Sequence, residues 1–87
     1  MDISPVERKQ IFDEAGLKAF ALRLKEMRKI KHFSQEDLAY QSGLALSQIA
    51  RIETARTNPT LSTVFRIART MDITLSELFH FDLPPEK

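Results

Sequence analysis

The residues that could do chemistry are few, and they are of a kind that grips rather than cleaves. From Leu44 to Asn58 the chain reads L-A-L-S-Q-I-A-R-I-E-T-A-R-T-N. Arg51 offers a forked guanidinium that matches guanine or phosphate. Ser47 can donate or accept a hydrogen bond, and Gln48 beside it can reach a phosphate or an adenine. On a helical period Ala45, Leu46, Ser47, Ala50 and Arg51 share an outward face, while Ile49 and Ile52 lie on another side. Bond-making chemistry has no comparable support. There is no carboxylate pair set for acid–base work and no supported Ser/His/Asp spacing. Two glycines in the whole chain cannot build a phosphate-cradling loop, and the lack of cysteine excludes disulfides and thiolate metal sites. His32 and His80 cannot complete a metal site alone and read as helix-end or surface residues. The expectation is no enzyme, no metal and no cofactor.

The elements that position this face come next. Ser34 to Glu53 reads as two short helices joined by a tight turn. Ser34 is a good N-cap, and Asp37 three residues on completes a capping box. Leu38 and Ala39 face inward. Gly43 stops the first helix, because glycine takes the left-handed conformation that a sharp corner needs. A second helix starts near Leu46, with Ile49 and Ile52 as its inner i, i+3 pair. Two such helices in about 20 residues form the helix-turn-helix signature, whose second helix enters the DNA major groove. Counting Gln35 as first, small Ala39 is fifth, Gly43 ninth, Ile49 fifteenth and Ile52 eighteenth. Closely crossing helices need a small residue at the crossing, a turn-former at the corner and branched apolar residues in the angle.

That pattern, continued through R-I-E-T-A-R-T-N-P-T-L-S-T-V-F-R-I-A to T-L-S-E-L-F, resembles the Cro and phage-repressor type of helix-turn-helix domain, also called XRE-like. The resemblance covers Leu17 to Phe79. It implies an all-α, five-helix, lambda-repressor-like DNA-binding domain, here with an additional N-terminal helix. It implies that Gln35 reaches a backbone phosphate, beside the positive end of a helix. It places Arg56, Thr57 and Asn58 on a loop that touches phosphate. It also implies a partly buried structural ion pair between Arg28 and Glu53. The chain departs from its relatives in two places. Leu44-Ala45-Leu46 stands where a Ser or Thr cap and a polar reader are usual, and Ala55 replaces the common glycine after the recognition helix. Leu46 can meet a thymine methyl but reads no donor–acceptor code, so shape readout gains weight.

Three segments are expected: an N-terminal helical extension over 1–16, the helix-turn-helix domain over 17–80 and a short tail over 81–87. Ser4-Pro5-Val6-Glu7 opens a helix predicted to run from Pro5 to about Ala15 and to end near Gly16, the weaker alternative being a helix that runs unbroken through Gly16 into the next. The first core helix is predicted from Leu17 to about His32. Leu17, Phe20, Ala21, Leu24 and Met27 face inward, and Arg23, Lys25, Lys29 and Lys31 face out. Phe33 is an apolar plug in the turn. Pro59 disfavours helix at Asn58. Thr60 then caps a helix to about Met71, which offers Leu61, Val64, Phe65, Ala68 and Met71 to the core. Thr74 and Glu77 form a second capping box before Leu75, Leu78 and Phe79. Leu75, Phe79, Phe81 and Leu83 exceed what so small an end needs, which suggests a dimer contact, with core packing accounting for at least some of them.

The 87 residues carry a net charge of only +1, but it is unevenly spread. From Leu17 to Arg69 ten lysines and arginines face four acids, a net +6 with the acidic residues gathered toward the termini. No apolar run reaches the ~20 residues needed to cross a membrane, and no signal peptide is visible, so a cytoplasmic, nucleoid-associated protein is expected. The leading expectation is a sequence-specific transcriptional regulator, a repressor, binding double-stranded DNA as a homodimer. The alternatives are the antitoxin of a toxin–antitoxin pair, with a toxin as second partner, and a protein-interaction module that has lost DNA binding.

Overall fold

The computed structural model describes residues 11–86. Five α-helices follow one another in it: α1 Glu14–Ile30, α2 Gln35–Ser42, α3 Leu46–Glu53, α4 Leu61–Met71 and α5 Leu75–Leu78. There is no strand among the described residues. The fold is the all-α, five-helix arrangement that the resemblance implies. The extra N-terminal helix expected over Pro5–Ala15 falls largely outside the described residues.

The helix boundaries follow local chemistry. Asp13 caps α1 by accepting from the Gly16 backbone N–H at 2.8 Å, and Glu14 adds a carboxylate to the first turn. This corrects the expected stop at Gly16. The glycine sits in the first turn of α1, the helix runs through it, and residues 11–13 are not helical. A Cβ on Gly16 would stand 3.2 Å from the Asp13 carboxylate and 3.3 Å from Leu83, so its lack of a side chain suits this close approach. The other end falls at Ile30, two residues before the predicted His32.

Both capping boxes form. Ser34 and Asp37 exchange bonds of 2.9 and 3.0 Å at α2, and Thr74 and Glu77 exchange bonds of 3.0 and 2.8 Å at α5. Thr60 caps α4 as expected. Gly43 ends α2 in the left-handed region at φ 79°.

The core collects Phe20, Leu24 and Met27 of α1, Leu38 and Ala39 of α2, Ile49 and Ile52 of α3, Val64, Ile67, Ala68 and Met71 of α4, and Ile73 and Leu78 beyond. Each large apolar side chain so enclosed contributes about 1.5–3 kcal/mol relative to exposure. Phe33 packs against this cluster as the expected plug. Three inward assignments fail. Leu61 and Phe65 are exposed and Leu17 is only half-buried, whereas Ile67, not singled out, is fully enclosed. The buried arc of α4 centres on Val64, Ile67, Ala68 and Met71, which carries the row Leu61–Phe65–Arg69 to its flank.

Arg23 is also not simply outward. Its Nε donates to the Glu77 carbonyl at 2.8 Å and its Nη1 pairs with Glu26 at 2.9 Å, tying α1 to α5. At the tail, Phe79 stacks on Phe20 with ring centroids 5.2 Å apart, and Phe81 leans on Phe79 at 6.1 Å. Phe81 thus serves the packing of the monomer, whereas Phe79 stacks on Phe20 and still leaves 43% of its surface exposed.

Candidate nucleic-acid interface

Helix α3 is wedged by its apolar side against α1 and α2, leaving its opposite face open. Ile49 and Ile52 are buried, whereas Ala45, Leu46, Ser47 and Arg51 are exposed and Gln48 and Ala50 are half-buried. The structure therefore brings the predicted reading face together on one helix. Leu46, at 43% exposure, is its large apolar member. Ala45 has extended geometry at φ −70°, ψ 144° and makes no side-chain cap bond. The first N–H groups of α3 are thus left without a side-chain cap, and alanine there gives up the stabilisation that serine or threonine would supply.

The far end of α3 is closed by backbone bonds. Ala55 N–H donates to the Ile52 carbonyl at 3.1 Å and Arg56 N–H to the Arg51 carbonyl at 2.9 Å. That pair of bonds is a Schellman motif. It requires a left-handed residue, and Ala55 stands there at φ 58°, where glycine would be unstrained. The turn delivers Arg56, exposed, and Thr57, half-buried, directly after the recognition helix. Asn58 is exposed at the other end of the loop, bordering a groove with Leu17 and Phe79.

Beneath this surface lies the ion pair expected from the resemblance. Arg28 donates from Nε to Glu53 Oε2 at 2.6 Å and from Nη2 to Oε1 at 2.9 Å, a bidentate fork. The side chains are 11% and 1% exposed. A third donor, Arg28 Nη1, reaches the Phe33 carbonyl at 2.9 Å. The Glu53 hydrogen bond holds the Arg28 guanidinium above the ordinary arginine pKa, against the opposing effect of burial. A pair so enclosed is chiefly geometric: it sets the angle between α1 and α3, and removing one partner strands a buried charge.

Gln35 behaves differently from a free first-turn side chain. It is half-buried, and its Nε2 donates to Glu53 Oε1 at 2.9 Å. Arg66, not singled out in the sequence, donates from Nη1 to the Ser42 carbonyl at 3.1 Å and braces the end of α2 against α4. No spacing signal could have found it, because the contact spans 24 positions of the chain. Among the described residues no group of histidines and acids is placed to hold a metal ion. None of their helices is long and apolar enough to cross a membrane.

Comparison with known proteins gives the same outline. A family model described as helix-turn-helix matches residues 24–78. An HTH-type transcriptional regulator of Archaeoglobus fulgidus is 33% identical over 60 residues, 69% of this chain and 84% of that protein. The restriction-modification controller protein C.AhdI from Aeromonas hydrophila superposes with a TM-score of 0.73 at 39% identity, covering 76% of this chain and 96% of its own. The controller protein C.Esp1396I, solved as a tetramer in complex with its natural 35 base-pair operator, superposes with a TM-score of 0.68 at 30% identity, covering 72% and 83%. With α2, the Gly43 corner and α3 built as described, the chain belongs to the helix-turn-helix family.

Proposed function

We propose that this protein is a DNA-binding transcriptional regulator that lays α3 in the major groove and acts as a homodimeric repressor at the nucleoid. The observation that carries the reading is the open face of α3, held at a fixed angle by a buried bidentate ion pair behind it. Arg51 reads guanine or clamps phosphate, Ser47 adds one hydrogen bond, and Leu46 with Ala45 and Ala50 meets thymine methyls. Gln48 reaches to the side of this face. Gln35, Arg56, Thr57 and Asn58 hold the backbone and set register, not sequence choice. With so few polar readers, much of the selectivity rests on groove shape and DNA deformability. The operator complex of C.Esp1396I supports the docking mode. A dimer of this motif sets its recognition helices ~34 Å apart, one turn of DNA. Seated on a promoter, it occludes it.

The test is selection from a random duplex pool, followed by salt titration of the winner. A palindromic winner with half-sites one turn apart, bound less tightly as salt rises, is the expected result. The absence of any preferred duplex would overturn the reading and turn the search toward a protein partner, a toxin included.

A further inference from the structure

Glu53 ends the recognition helix but is buried, and among the described residues three donors reach its carboxylate. Arg28 supplies two donors and Gln35 the third. Arg28 and Glu53 balance each other's charge below the surface, and half-buried Gln35 is the member of the cluster nearest to solvent. A carboxamide has two N–H donors and one acceptor oxygen. One Nε2–H is spent on Glu53 Oε1, and among the described residues the other has no partner. Turned over, the amide would set its oxygen against the carboxylate, acceptor facing acceptor, and would lose that bond. A phosphate only accepts, so a Gln35 amide in the flipped state would meet it with the wrong group.

We propose that Glu53, without reaching DNA, is a positioning residue for the backbone contact: its carboxylate fixes the Gln35 amide so that the second Nε2–H faces a phosphate. This rests on the reading of Gln35 as a phosphate contact. It couples the α2 clamp to the end of α3, so that the residue fixing the recognition helix also pre-orders the group that sets its register. Ordering a side chain before binding removes a cost that association would otherwise carry.

The test uses the full chain and the duplex that emerges from selection. In the free protein, nitrogen-15 relaxation of the Gln35 side-chain amide should show a rigid group with one proton protected from exchange. Adding duplex should shift the second proton. Gln35→Ala should weaken binding about tenfold or more, equally on matched and scrambled duplexes. Glu53→Gln, compared per folded molecule, should weaken it similarly, and the double variant should lose no more than Glu53→Gln alone. A freely rotating amide in the free protein, or losses that simply add, would overturn the proposal. Should Glu53→Gln fail to fold, the amide measurement on the unmodified chain still decides. A chain that selects no duplex defeats the DNA reading itself, whereas selection with a mobile Gln35 amide defeats only this inference.

Discussion

Arg51 and Glu53 stand two positions apart on α3 and face opposite ways, one exposed and one buried. Arg51 is exposed on the reading face, so its removal should leave the fold intact and change recognition. Arg51→Ala should cost ~1–3 kcal/mol of affinity for the selected duplex if it forks onto a base. The loss should shrink on duplexes altered at the base it reads, as measured by anisotropy titration across single-substitution duplexes. A uniform loss on every duplex would reassign it to phosphate. Glu53 lies on the buried side, and Glu53→Gln leaves the Arg28 guanidinium without its counter-charge. Urea unfolding should show a loss of ~3 kcal/mol or more, and an unmoved midpoint would sink the assignment of the pair as structural. The exposure of Arg51 could be expected from its place in the helical period, and the Arg28–Glu53 pair from the family resemblance. The turn of Gln35 toward Glu53 could not, because it joins residues 18 apart and depends on how α2 and α3 cross.

At the scale of elements, the helix ends show why local chemistry was readable and where it misled. Capping boxes close within four residues, so S-x-x-D and T-x-x-E were sufficient. Gly16 misled because glycine serves at a first turn as well as at a stop, and the Asp13 cap that decides between them lies upstream. The left-handed residues His32 at φ 63° and Asp72 at φ 55° were equally hidden, since neither residue type marks a turn as glycine does. Ala55 is the one of these with neither a polar side chain nor glycine's freedom. Ala55→Gly should therefore stabilise the protein by about 0.5–1 kcal/mol, relief of the left-handed strain offset by the entropy of glycine in the unfolded chain. A lower urea midpoint would show that the alanine is unstrained.

The two box carboxylates give a pH signature. Backbone N–H groups at Ser34 and Thr74 hold Asp37 and Glu77 below their ordinary values of 3.8 and 4.5. A depressed folded-state pKa means stability that is present above the ordinary value and lost as pH falls through the folded one. Melting temperature should thus decline from about pH 5 downward, and Asp37→Asn with Glu77→Gln should flatten that decline. An identical slope in the variant would remove the boxes from the acid sensitivity.

At the scale of the molecule, what was least legible is the surface where two copies would meet. Of the tail residues that the sequence offers for it, Phe81 packs on the core and Phe79 stacks on Phe20, while Phe79 stays 43% exposed and Leu83 72%. Periodicity cannot tell an apolar residue that packs within its own chain from one that waits for another. The structure leaves Phe65 and Leu75 exposed around Ala68, Arg69 and Ile73 at the edge of α4 and α5, with Leu61 exposed one turn before Phe65 on α4, while α3 packs against α1 and α2. A two-fold contact along that edge would leave both recognition helices free, as one palindromic site demands. Leu61 and Leu75 are the first residues of their helices, where glutamate is favoured by the helix dipole. The Leu61→Glu, Leu75→Glu double variant should therefore melt near the parent yet repel its own copy. Sedimentation equilibrium should show the parent as a dimer and the variant as a monomer. On the selected palindrome the variant should bind each half-site independently and more weakly, while Tyr40→Ser, 89% exposed on α2, should change neither property. A variant that stays dimeric would move the two-fold axis off this edge, and a parent that is monomeric even on its palindrome would mean that DNA is read by one recognition helix at a time.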